Sequence, residues 1–501
     1  MLLRPRLDDF KVIGFHIGRL IVALGLVMII PLITGILFLE YAMALNFGIA
    51  LFAGLAIGLV LQIICSTRKD LNWMHGLVVA ATAWLAAMFI GAIPLYLSGQ
   101  FGSFLDACFD SMSGFATTGL SILQGKDHIS ISLNMWRHLM MFLGGQGIVV
   151  IGLTFLIKGT AGAYRMYVGE AREEKVLPNV IQTARFIWLI SIVYLVIGTF
   201  MLTVVAFFEG IPLLESFLNG LWIFMAAFDT GGFTPYSQSI LYYHSFPFEL
   251  VTMALMILGT LNFGLHYALW DRKWKELRTN IETKTLLFSV LIIFTLTAIG
   301  LTRMDTYPNW LALFRKGFYQ ILSAHSGTGY MTIYAQQFVF EWKTIAMFGA
   351  MLAMAIGGSA CSTAGGIKVL RVGIFIKALF QDVKRVMSPG TAVISAKFHH
   401  IKDIIMTEKF VRTTLLIILA YLITYFLGTV AGIIYGYPLE QAAFESVSAA
   451  ANVGLSCGIT SPAMPAGLKV VFILQMWLGR LEFMSIFALI GFFIATFRGK
   501  G

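Results

Sequence analysis

Four stretches of this chain repeat one pattern: FDSMSGFATTGL, WIFMAAFDTGGF, YQILSAHSGTGY and FESVSAAANVGL. They align on Gly119, Gly232, Gly329 and Gly454. Ten residues before each glycine stands an aromatic residue: Phe109, Trp222, Tyr319 and Phe444. Six before stand Ser113, Ala226, Ser323 and Ser448; five before stand Gly114, Ala227, Ala324 and Ala449. Leu120, Phe233, Tyr330 and Leu455 follow directly. Glycine visits left-handed backbone conformations cheaply, and such conformations let consecutive carbonyls be aimed at one axis. A ring of main-chain carbonyls can replace the water shell of a bare monovalent cation such as potassium. A short helix ahead of each glycine points its partially negative C-terminal end at the same place, which favours a cation there. Glycine is common in membrane helices, so one such turn carries little weight. Four turns with matching flanks indicate an internal repeat.

The elements that must carry these turns follow from hydropathy. Of 501 residues, 58% are hydrophobic and 12% charged, with a mean hydropathy of +0.84. A soluble domain has too little interior for that much apolar surface. Ten stretches are long enough to cross a bilayer core as helix, near residues 15–38, 46–66, 73–97, 134–157, 185–208, 246–269, 285–303, 344–377, 410–435 and 467–497. Shorter apolar segments near 104–116, 216–228, 312–325 and 440–451 are too short to cross and read as re-entrant half-helices, each followed by a glycine turn. The expected architecture is an all-α membrane protein of four span–pore-loop–span repeats around a pseudo-fourfold pore, plus an N-terminal two-helix hairpin. In chain order these are the hairpin (1–70), first repeat (71–160), second (161–280), third with a broken inner helix (281–400) and fourth (401–501).

The net charge of +10 comes from basic residues between spans, in one set of loops. Among them are Arg68, Lys158, Arg165, Arg272, Lys275, Lys384, Arg385 and Lys402. The positive-inside rule makes these loops and both termini cytoplasmic, so the half-helices enter from outside. No nucleic-acid module accompanies the charge. Cys65, Cys108, Cys361 and Cys457 have no metal-ligand or redox spacing and read as small buried residues. The first apolar run is too long for a signal-peptide core and reads as a retained anchor. No phosphate-binding or dinucleotide fingerprint is present. His138, His266, His325, His399 and His400 form no catalytic grouping in sequence. A substrate-binding secondary transporter predicts inverted repeats rather than four parallel loops.

One span contains its own interruption. GGSACSTAGG, with Gly357, Gly358, Ser359, Ser362, Thr363, Gly365 and Gly366, breaks a helix and is followed by Lys368. Such a break serves either close helix packing or an ion pathway. Lys368 either snorkels to the interface or holds the break in place. Arg480 is a second charge inside a span. Its placement in hydrocarbon costs at least roughly 2.5 kcal/mol, so it should face protein or water.

At these residues the chain resembles the Trk/Ktr/HKT superfamily of potassium transporters over nearly its whole length. SGFATTGLS, DTGGFTP, NVGLS, GGSACSTAGGIKV and GRLEF carry the likeness, and the extra hairpin resembles the Trk branch, its membrane subunit. The resemblance implies a selectivity filter of Thr117, Thr118, Gly119, Thr230, Gly231, Gly232, Gly327, Thr328, Gly329, Asn452, Val453 and Gly454. It implies an intramembrane loop at 357–368 that blocks the pore, and Arg480 projecting below the filter. In the plant branch a serine at the first filter glycine accompanies sodium transport, so Gly119 favours potassium; a sodium-permeable or poorly selective pore is the alternative. Asp229 and His325 depart from the family pattern. The first either adds negative charge near the inner end of the filter or pairs structurally behind it, and the second is either a hydrogen-bonded half-helix residue or a pH sensor. The resemblance further implies a homodimer in the bacterial cytoplasmic (inner) membrane, with a cytosolic nucleotide-binding partner of the TrkA type docking on the basic loops at 158–185, 270–284 and 377–409. Potassium would be substrate, with no cofactor in this chain.

Overall fold

The computed structural model describes residues 5–67, 69–148, 150, 164, 166–168, 170, 179–389 and 396–498. Among them, seven helices are long and apolar enough to cross a membrane: Leu7–Leu37, Tyr41–Ile64, Trp73–Leu97, Val180–Phe208, Ile281–Arg303, Phe338–Ile356 and Glu408–Ile434. Two further spans are bent pairs, Phe246–Thr260 with Phe263–Trp270 and Ala466–Arg480 with Met484–Arg498. The remaining expected span, 134–157, begins as the helix Ile131–Gln146, which closes at Gly147, whose φ is +96°. The rest of it, most of the basic loop 158–185 and the boundary at residue 160 lie outside the described residues. Phe52, Phe200, Ile292 and Phe426 stand exposed on outward faces, where lipid is the natural solvent, while Trp84, Phe109 and Tyr319 are fully buried.

The four half-helices are Phe104–Phe115, Leu213–Phe228, Tyr319–Ser326 and Leu439–Ala450. Their starts follow ordinary capping chemistry. The Ser103 hydroxyl accepts the Asp106 amide, and Pro212 and Pro438 stand at the entry of the second and fourth. The third is preceded by a wide-turn helical stretch, Leu313–Phe318. Each half-helix packs between the two spans of its own repeat and also against the second span of the preceding repeat. The cycle closes, because the first half-helix packs on Ala466–Arg480 of the fourth repeat. The N-terminal hairpin lies outside this cycle, against the spans of the first repeat.

Two expectations need correction. Spans 246–269 and 467–497 read as continuous helices, yet they bend by 102° and 111°. In the first, Asn262 starts a new helix by accepting the Gly264 amide at 2.6 Å. In the second, Glu482 and Phe483 take positive φ of 50° and 73°, which an α-helix cannot accommodate. With the break after Ile356, the second spans of the second, third and fourth repeats are each interrupted near the middle, and in the first repeat the helix Ile131–Gln146 closes at Gly147. The chain is also not purely helical. Lys397–His400 and Lys402–Ile405 form a small antiparallel hairpin. Phe398 of that hairpin is buried against Ile281, Ile374, Ala378 and Met406. This hairpin and the helix Val369–Val386 occupy most of the stretch expected as a loop at 377–409.

Candidate functional site: a ring of four glycine turns and the segment beneath it

Each half-helix ends in the same way. The amide two residues before the turn glycine bonds the carbonyl five before it, in the pairs Thr117–Gly114, Thr230–Ala227, Gly327–Ala324 and Asn452–Ala449, at 3.1 to 3.3 Å. The next amide bonds the carbonyl six before the glycine, in the pairs Thr118–Ser113, Gly231–Ala226, Thr328–Ser323 and Val453–Ser448, at 2.8 to 3.1 Å. This paired closure requires a left-handed residue just past the helix, and Thr117, Thr230, Gly327 and Asn452 have φ of 52°, 50°, 80° and 54°. Threonine is β-branched and rarely takes that conformation. Holding it there costs on the order of 1–3 kcal/mol at each position.

The turn glycines are left-handed too, with φ of 90°, 74°, 78° and 88° at Gly119, Gly232, Gly329 and Gly454. They meet one another in order. A Cβ on Gly119 would stand 2.4 Å from the Gly231 carbonyl oxygen, and one on Gly232 2.0 Å from that of Thr328. On Gly329 it would stand 1.9 Å from the Val453 oxygen, and on Gly454 2.0 Å from the Thr118 oxygen. Each turn therefore presses its glycine against the carbonyl that precedes the next glycine, and the fourth returns to the first. Any side chain would strike main-chain oxygen, which explains the residue type at all four places. The segments 117–119, 230–232, 327–329 and 452–454 are fully buried at every described non-glycine position.

Segment 357–368 lies against the deep end of this ring. Its ends are stitched together by Ile367 N–H to Ala355 C=O (3.0 Å) and Lys368 N–H to Ile356 C=O (2.8 Å). Gly357 and Gly366 have positive φ and approach so closely that a Cβ on Gly366 would lie 2.9 Å from the Gly357 Cα. Gly358 packs on Thr260, and the Ser359 amide donates to the Thr260 carbonyl at 3.1 Å. The Ser362 hydroxyl donates to the Ser359 carbonyl at 2.6 Å. Thr363 Oγ1 lies 3.0 Å from the Phe228 carbonyl, 2.8 Å from that of Gly259 and 3.2 Å from Thr230 Oγ1. A Cβ on Gly365 would touch the Ala451 carbonyl and the Asn452 Cβ, and Gly327 faces Ala364 and Gly365. Three of the four left-handed cap residues thus touch the segment.

The fourth, Thr117, is reached through Arg480. Its guanidinium donates to Thr363 C=O at 2.7 Å, to Thr117 Oγ1 and Gly145 C=O at 3.3 Å each, and to Gly144 C=O. Lys368 does not snorkel. It is buried, and its ammonium donates to the Ala364 carbonyl of its own segment and stands 3.9 Å from Glu482. Glu482 in turn is paired with Arg371. A polar cavity beside the segment is lined by residues that include Glu170, Ser362, Lys368, Arg480 and Glu482.

The chain is similar to known proteins over nearly its whole length. A family described as TrkH, cation transport protein, matches residues 44–492. The chain belongs to the TrkH family. Its relatives include an uncharacterized cation transporter of Methanocaldococcus jannaschii, 31% identical over 96% of this chain and 95% of that one. The Trk system potassium uptake protein TrkH of Escherichia coli K12 is 27% identical over 97% of this chain and 99% of its own length. The crystal structure of the potassium transporter TrkH from Vibrio parahaemolyticus has the same fold, with a TM-score of 0.81, 21% identity and coverage of 96% and 98%. The chain is therefore a multi-pass membrane transporter, and its architecture is that of the TrkH fold.

Within this TrkH-family frame the two unusual residues lie behind the turns. Asp229 is buried at the end of the second half-helix and accepts from Gln146 Nε2 at 2.8 Å. His325 is buried, with Nε2 2.7 Å from Ser289 Oγ. Sequence reasoning missed the breaks in three of the four second spans. The available signal was Gly144, Gly259, Gly357 and Gly479, which follow their turn glycines at similar distances. Three of them back directly onto a half-helix end, where a Cβ would lie within 2 Å of the Phe115, Phe228 or Ala450 carbonyl.

Proposed function

We propose that this chain takes up potassium across the cytoplasmic membrane. Residues 117–119, 230–232, 327–329 and 452–454 act as its selectivity filter, and segment 357–368 with Arg480 acts as the barrier beneath. The observation that carries the reading is the closed succession of glycine–carbonyl contacts from Gly119 through Gly232 and Gly329 to Gly454. Such a ring offers oxygens to a cation that has shed its water. The half-helix ends aimed at it favour positive charge. The names of the Trk relatives support potassium as the ion.

Arg480 and the main chain of 357–368 stand on the deep side of the ring, where a fixed positive charge opposes cation passage through a low-dielectric space. Opening then requires the segment to leave the caps at Thr230, Gly327 and Asn452, and Arg480 to release Thr117. The resemblance to the Trk branch adds a homodimer and a cytosolic nucleotide-binding partner on the basic side. It also adds the orientation in which both termini are cytoplasmic.

The test is growth of a potassium-uptake-deficient bacterium at low potassium. The wild-type chain restores growth, and Gly119→Ser shifts transport toward sodium. Failure of the wild type to restore growth, while it is present in the membrane with its expected partner, would overturn the proposal.

A further inference from the structure

Each turn has a returning limb, the irregular chain that leads away from its glycine. Three of the four limbs are tied to their half-helix by one equivalent bond. Asp110, Gln320 and Glu445 each stand nine residues before the turn glycine. Each accepts the amide of the residue three after the glycine: Ile122 to Asp110 at 3.3 Å, Thr332 to Gln320 at 3.3 Å, and Cys457 to Glu445 at 3.0 Å. All three side chains are fully buried. The second repeat loses both halves of the bond together. Ile223 has no acceptor at the first position, and Pro235 has no N–H at the second. An acceptor is present wherever the limb has an amide to offer, and absent where it has none.

The added contacts have the same purpose. Gln320 Nε2 also donates to the Tyr330 carbonyl at 3.0 Å, so one side chain holds both strands of its limb. Glu445 also receives the Ile459 amide at 3.2 Å and the Thr460 hydroxyl at 2.8 Å. The second limb is held from its neighbours instead. Arg137 lies 4.3 Å over the Phe233 ring and donates to the Thr234 carbonyl at 3.5 Å, while its Nε donates to Asp110 at 3.4 Å. The Tyr330 hydroxyl of the third limb donates to the Ile223 carbonyl of the second half-helix at 2.9 Å.

We propose that Asp110, Gln320 and Glu445 are positioning residues that fix the returning limbs, and through them the width of the carbonyl ring, so that they set the preference for potassium over sodium. The inference rests on the reading of the ring as the selecting element. A ring of oxygens discriminates by its size and stiffness, and an irregular limb has stiffness only through bonds of this kind.

The experiment measures rubidium and sodium uptake by the full chain in liposomes, both ions on the same preparation, so that the ratio is independent of how much protein is folded. Gln320→Met and Glu445→Met keep the volume and remove the acceptors. Glu445→Gln keeps an acceptor oxygen. The rubidium-to-sodium ratio falls about tenfold in the methionine variants and changes less than about threefold in Glu445→Gln, the size expected of a buried bond lost or kept. If Glu445→Met does not fold, Gln320→Met decides, because only neutral bonds are lost there. A wild type that discriminates, with methionine variants that discriminate equally well, overturns this inference alone. A wild type that passes both ions alike overturns the filter reading, and this inference with it.

Discussion

The ring and the proposed barrier beneath it differ in plan. The ring is made four times from main chain, with left-handed residues at Thr117 and Gly119, Thr230 and Gly232, Gly327 and Gly329, and Asn452 and Gly454. The barrier is made once, from the third repeat's interruption and a single side chain of the fourth. At the corresponding break each repeat carries a pair: Gly144–Gly145, Gly259–Thr260, Gly357–Gly358 and Gly479–Arg480. Only the last pair brings a charge, and among the described residues only the third break opens into a segment of a dozen residues. A cation on an axis is best held by equal ligands from every side, which favours repetition. Blocking that axis needs an element that can withdraw, and four equal elements would have to withdraw together. On the proposed reading, repetition serves selection, and departure from it serves control.

Changes to the ring should therefore act through the backbone and be severe. Gly232→Ala places a methyl group 2.0 Å from the Thr328 carbonyl oxygen at a φ of 74°. Overpacking of this kind costs about 1–3 kcal/mol, with the left-handed strain added. Rubidium uptake falls at least about tenfold. Uptake near the wild-type level would show that the turn is not in tight contact with its neighbour.

Changes to the barrier should act in the opposite direction. Arg480→Ala removes a charge that faces Thr117 and Thr363, and flux rises roughly tenfold in liposomes, while Arg480→Lys restores part of the block. Unchanged flux in well-folded Arg480→Ala protein would count against the barrier role. Thr363→Val deletes the hydroxyl that bridges Thr230 and the carbonyls of Phe228 and Gly259, worth about 1 kcal/mol. Basal leak rises about two- to fivefold. A tighter block in this variant would sever the segment from the caps.

Glu282 gives a finer distinction. It accepts the Ala360 amide of the segment at 2.6 Å and lies 3.6 Å from His400 of the small hairpin. Glu282→Ala raises leak less than about twofold, below either preceding barrier change, because it loosens the segment at its edge. The smallest effect concerns the hairpin itself. His399 lies between Asp403 at 2.8 Å and Glu276 at 2.9 Å, and its hydrogen bond to Asp403, with that to Glu276, raises its pKa above the ordinary 6.5. The hairpin's anchorage is therefore complete below pH 6.5 and declines as pH rises through the elevated value. Nuclear magnetic resonance titration should place the imidazole midpoint above 6.5, and Asp403→Asn should lower it.

The same contrast governs what could be read from sequence. The turns were legible because their requirement is local: a glycine where no Cβ fits, ahead of an apolar residue and behind a short helix. The break at 357–368 was legible because four glycines interrupt an apolar run. The breaks at Leu261 and Leu481 were not. A lone Gly259 or Gly479 looks like any membrane-helix glycine, and its reason is a half-helix carbonyl far away in sequence. The fate of Lys368 was equally closed, since snorkelling and burial call for the same residue. Asp110, Gln320 and Glu445 left a trace, a polar residue at one register in three repeats. It gains meaning only beside Pro235, which is missing the amide that such a residue would accept.

The most direct measurement is diffraction from crystals grown in rubidium, recorded at the rubidium absorption edge. Anomalous density should lie on the axis enclosed by Gly119, Gly232, Gly329 and Gly454, within coordinating distance of the carbonyls of Thr118, Gly231, Thr328 and Val453. Density confined to other parts of the molecule, with that axis vacant in crystals saturated with rubidium, would contradict the account.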